Sequence, residues 1–122
     1  MKKFKINGYE WTIKEVEQKV FWEDALILDE MNTKEHATEY CYGRTKYSIN
    51  EIWIDKSLPQ DIKRKTLLHE LMHCYKASFI CLYSIDNQDE DFWCELSANS
   101  HDIIHEIVED YFKWNMTHQN NI

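Results

Sequence analysis

The chain is poor in the residues that most often interrupt regular structure: among 122 residues there are two glycines and one proline. Few irregular loops, and therefore long helices with short strands, are expected. No apolar run approaches the length that spans a bilayer, and the start Met1-Lys2-Lys3-Phe4-Lys5-Ile6 has no apolar signal core. These two absences point to a cytoplasmic protein with no membrane partner. None of Cys41, Cys74, Cys81 and Cys94 stands in a CxxC pair, so reduced, buried and inert thiols are expected. Basic runs are lacking too. Lys63-Arg64-Lys65 is short, and 14 cationic against 22 anionic side chains leave a net charge of −8, which argues against nucleic acid as a partner.

What is present is globular: 43% hydrophobic residues and 14% aromatics, enough for one substantial core. Residues 1–115 are expected to form a single domain, with a fraying polar tail at 116–122. Within that domain, Asn7-Gly8 suits a type I′ turn between strands at residues 3–6 and 9–16, where Tyr9, Trp11 and Ile13 alternate with polar residues. Residues 15–31 read as a helix followed by a strand, and 32–36, with His36, as a turn. A second hairpin is expected from strands at 39–42 and 47–55 around a loop at 43–46. The strand that ends at Asp55 would offer an exposed edge to an extended peptide.

A long helix follows. Ser57 is a hydroxyl N-cap candidate, with Pro59 in the first turn and Gln60 at the capping-box position. Mid-helix stands His69-Glu70-Leu71-Met72-His73, an HExxH pattern. On a helix the two histidines lie about 40° apart on the wheel, so both imidazoles can ligate one metal ion. Glu70 projects from the adjoining flank, where it would act as general base toward a zinc-activated water and then protonate the leaving amine. Ile62, Thr66, Ala77 and Ile80 share the histidine sector, and Leu67, Leu68, Leu71, Cys74, Tyr75, Ser78 and Leu82 lie opposite. The helix should therefore be central, with its metal face turned into a cleft. A polar link at 83–88 leads to a last helix, opened by Asp89-Glu90-Asp91 and running to about Trp114. Its expected core stripe is Phe92, Trp93, Leu96, Ile103, Ile104, Ile107 and Tyr111.

Catalytic zinc takes three protein ligands and keeps one position open. The extended metzincin pattern is excluded, because Lys76 and Phe79 stand where its glycine and third histidine belong. Downstream candidates are Glu95, His101, Asp102 and His105. Glu95 is preferred because it lies near the start of a helix that can pack antiparallel to the first. Asn99 then shares its face and could fix the tautomer of a ligating histidine. His101 and His105, spaced i, i+4, read as a solvent-facing pair, with a separate HxxxH site or oxyanion contact as alternatives.

Taken together, Glu51-Ile52-Trp53-Ile54-Asp55, Ser57-Leu58-Pro59, Thr66-Leu67-Leu68-His69-Glu70-Leu71-Met72-His73 and Glu95-Leu96-Ser97-Ala98-Asn99 resemble the small gluzincin metallopeptidases of phages and mobile elements, near the ImmA/IrrE-type group. The resemblance spans roughly residues 47–110. It implies one zinc ion per chain on His69, His73 and Glu95, with Glu70 as base. It also implies an α+β zincin core, a small antiparallel sheet packed on the HExxH helix and a C-terminal helix. The substrate would be a protein or peptide, a transcriptional repressor among the candidates. The rival expectations are a non-enzymatic zincin-like module that binds or inhibits a host protein, and a structural zinc site closed by Cys94 or His101.

Overall fold

Asn7 and Gly8 both adopt positive φ, 50° and 83°, the pair of left-handed residues that a type I′ turn demands. They join β1 (Lys2–Ile6) to β2 (Tyr9–Val16) as an antiparallel hairpin in which Phe4 faces Trp11. The computed structural model describes residues 1–28, 40–79 and 90–119. The turn expected at 32–36, His36, Cys81 and the link at 83–88 lie outside the described residues. After β2 the chain forms α1 (Gln18–Leu28), β3 (Gly43–Lys46), β4 (Glu51–Asp55), α2 (Gln60–Phe79) and α3 (Glu90–Gln119). The fold is α+β, with a four-stranded mixed sheet and three helices among the described residues.

Three expectations about the sheet are corrected. Its order is β1-β2-β4-β3, and β4 pairs parallel with β2, Ile13 opposite Ile52. The sheet is thus mixed rather than wholly antiparallel: α1 intervenes between β2 and the second hairpin, which lets the chain return in the same direction. Residues 43–46, expected as a loop, are strand β3, and the turn falls at 47–50, where Asn50 carries φ 51°. β4 is also interior; among the described residues the outer strands are β1 and β3.

Trp11, Ile13, Ile52 and Ile54 alternate onto one sheet face, all buried, and meet Leu67, Leu71, Cys74 and Tyr75 of α2. Leu96, Ile104, Val108, Tyr111 and Phe112 of α3 complete this core. Trp93 and Ile103, expected in the stripe, are 47% and 37% exposed, and Val108 and Phe112 take their place. On the opposite sheet face Phe21 of α1 meets Trp53 edge-on at 6.0 Å. Asp24 there receives Arg44 at 2.7 Å and Lys46 at 2.8 Å, which ties α1 to β3.

Both helix ends differ from expectation. The amide and hydroxyl of Ser57 both donate to Asp55 Oδ1 at 2.8 Å, so its hydroxyl braces the preceding corner. The first helical bond is accepted by the Pro59 carbonyl, from the Lys63 amide at 2.9 Å. α3 does not stop at Trp114 but runs through Gln119. Buried Asn115 donates to Glu15 at 3.1 Å, and the His118 ring stacks on Trp114 at 4.4 Å. The expected tail is therefore helical as far as Gln119. No helix among the described residues is long and apolar enough to cross a membrane.

Candidate metal and catalytic site

Helical rotation separates the functions of α2. His69 and His73 come to the exposed side, their rings 5.1 Å apart and inclined at 68°. Glu70, about 100° round the helix from His69, turns inward against β3 and is only 5% exposed. Two features of β3 admit it. Gly43 leaves the space that a Cβ would fill: such an atom would lie 2.6 Å from Thr66 Cγ2 and 3.2 Å from Glu70 Cγ. Two residues on, on the same strand face, the Thr45 hydroxyl donates to the Glu70 carbonyl at 3.3 Å.

Within this seat Glu70 Oε2 is buried and has no hydrogen-bond partner among the described residues. A buried carboxylate oxygen without a donor is costly, and such an orphan in a native fold calls for an occupant. The ligand atoms of His69, Glu70 and His73 lie within 4.8 Å of one another. Two imidazoles suit a borderline divalent ion such as zinc, so His69 and His73 fit the metal, with the Glu70 carboxylate beside them. Burial raises the Glu70 carboxyl above the ordinary glutamate value, against the opposing pull of His69 and Arg44. Burial lowers His73, and the charges of His69 and Lys76 act in the same direction, which favours the neutral, ligating imidazole.

A cleft of about 460 Å³ opens beside His69 and Glu70, walled by Tyr40, Tyr42, Ile62 and Thr66. Of the two histidines, His69 lines this cleft. No protein family, curated protein or solved structure matches the chain. The assignment of this site therefore stands on its own residues.

Glu95 does not join the His69–Glu70–His73 group. Glu95 and Asn99 are both exposed on α3 and line a different cavity, of about 250 Å³, with Tyr75, Phe79, Phe92 and Leu96. Tyr75, which shares that cavity with Glu95, stands two residues, or about 200°, from His73 on α2. The helices meet where Ser100 donates to Met72 Sδ at 3.3 Å and Lys76 covers the Trp93 ring at 5.8 Å. Antiparallel packing set the level of Glu95, but not its side. His101 and His105 are exposed, their rings stacked at 5.9 Å, and neither joins the His69 group. Cys74 is buried, and burial pushes its thiol far up, as expected of an inert cysteine; Cys94 is exposed, against expectation.

Sequence reading missed Gly43, Thr45 and the tyrosine wall. The available signal was Tyr40-Cys41-Tyr42-Gly43 itself, one of only two glycines in the chain set beside paired aromatics.

Proposed function

We propose that this chain is a zinc-dependent metallopeptidase, near the small gluzincins that its motifs resemble, acting in the cytoplasm on a protein or peptide. A transcriptional repressor is the substrate that the resemblance suggests. The observation that carries the reading is the orphaned, buried Glu70 Oε2 beside two exposed, mutually close histidines, one of which, His69, lines a cleft together with Glu70. Metal binding alone would not require a carboxylate held in that place. His69 and His73 would hold the ion, which when bound supplies Lewis acidity toward a carbonyl oxygen and acidifies water. Glu70 would take the proton of the attacking water on Oε2 and hand it to the departing amine nitrogen. Outer strand β3, next to Glu70, takes over from β4 the role of offering an edge to an extended peptide.

One observation favours a second reading, a zincin-like binding module without turnover: Glu95 stands outside the His69–Glu70–His73 group, and the ion would then be short of its third expected ligand. Metal content and turnover separate the two. The expected result is about one zinc per wild-type chain, lost in His69→Ala and His73→Ala and retained in Glu95→Ala. Glu70→Gln should keep the metal while peptide hydrolysis falls by roughly 10²–10⁴-fold. A wild-type chain that takes up no zinc when it is supplied would overturn the peptidase and leave the binding module.

A further inference from the structure

We infer that the cleft beside Glu70 is a selectivity pocket for a large apolar side chain, aromatic by preference, of a bound peptide. The inference rests on the peptidase reading for the nature of its ligand, and on the cleft itself for its choice of side chain.

The walls argue for an apolar guest. Tyr40 and Tyr42 meet edge-to-face, ring centroids 5.1 Å apart and inclined at 72°, yet remain 54% and 57% exposed. Ile62 and Thr66 supply the α2 side, and the volume of about 460 Å³ falls within the range of pockets that enclose small organic groups. Covering a pair of exposed aromatic rings with another apolar surface removes it from water, and a third ring can meet the pair in the offset or edge-on geometry that aromatics favour.

The pocket is also held ready. The Tyr40 hydroxyl donates to Asp55, which is itself bound by Gln18 at 2.7 Å and by Ser57. The Tyr42 carbonyl accepts the Asp55 amide at 2.9 Å, so the backbone beneath both rings is fastened to β4. A wall ordered before binding spares the ligand the cost of ordering it. Charge offers little competing preference: exposed Lys65 and buried Glu70, of opposite sign, both border the cleft. Because Glu70 belongs to the same lining, a side chain seated here carries its own peptide bond beside the proposed base.

The test uses the full chain carrying Glu70→Gln, so that binding is read without turnover, and blocked pentapeptides that differ only in a central Phe, Leu, Gly or Asp. By titration calorimetry the Phe peptide should bind roughly tenfold or more tightly than the Gly peptide, with Leu between and Asp no better than Gly. Tyr42→Ala on the same background should erase the Phe preference, and Ile62→Ala should reduce it, with circular dichroism verifying that each variant is folded. Equal affinity or no affinity across the set, or a Phe preference untouched by both substitutions, overturns the pocket. A chain that prefers the Phe peptide but, with Glu70 restored and zinc supplied, cuts none of the peptides sinks the peptidase reading alone. One that cuts them without regard to the central residue sinks the pocket alone.

Discussion

Glu70 and Gly43 depend on each other. The helix turns Glu70 toward β3, and the strand can lie against that turn because residue 43 has no side chain. Gly43→Ala would set a methyl 2.6 Å from Thr66 Cγ2 and 3.1 Å from the Trp53 carbonyl oxygen, one neighbour a buried side chain and the other backbone. Neither yields easily. The substitution should cost about 1–3 kcal/mol in a urea melt, the usual penalty for overpacking. A change within experimental error would show that β3 can retreat from α2. At this scale the two histidines and the glutamate of the HExxH pattern stood out by their spacing. The glycine was not, because its role is to make room for an element that is distant in the chain.

At the scale of elements, Asp55 joins the end of β4 to the start of α2 and to the segment that walls the cleft. Burial opposes its ionisation, but donors outweigh it: the Tyr40 hydroxyl, the Ser57 amide, Gln18 and the Ser57 hydroxyl together hold the carboxyl below its ordinary value of 3.8. A carboxyl depressed in the fold stabilises it above the unfolded value, and the contribution is lost as pH falls through the folded one. The wild type should therefore lose stability steadily below pH 3.8, and Asp55→Asn should flatten that limb in denaturant melts taken across the acid range. Parallel acid limbs in the two proteins would remove Asp55 from this role. Ser57 is instructive here. Its place before Pro59 suggested a helix cap, yet Asp55 two residues earlier is the nearer acceptor for both its amide and its hydroxyl. Local pattern offered Ser57 as a cap and did not show Asp55 as its partner.

For the whole molecule the corresponding knot is Glu15. From β2 it accepts Lys63 of α2 together with Tyr111 and Asn115 of α3. Lys63 is 7% exposed, an ammonium that the fold tolerates only with its partner. Burial, and then Glu15, push the Tyr111 phenol well above its usual range, so it remains a neutral donor. Glu15→Ala leaves a buried cation unpaired and should cost about 3–5 kcal/mol, whereas Lys63→Met, which removes the charge as well as the bond, should cost clearly less. Equal losses in thermal or urea melts would show that the pair acts through geometry rather than charge.

The local and periodic features were determined by the sequence alone: the Asn7-Gly8 hairpin, a helix through residue 79, the inward stripe of Leu67, Leu71 and Cys74, and two histidines on one helix face. Each follows from backbone geometry over a few residues, where chain connectivity leaves little freedom. Tertiary structure decided which strand lies beside which, that β4 runs parallel to β2, and that among the described residues β3 rather than β4 is the outer strand. It also decided the side of α2 that Glu95 borders. These depend on how separate elements rotate and dock, and that choice is made by packing over the whole core. A third metal ligand from another helix belongs to this second class, so spacing could propose Glu95 while only the docking of α3 could place it.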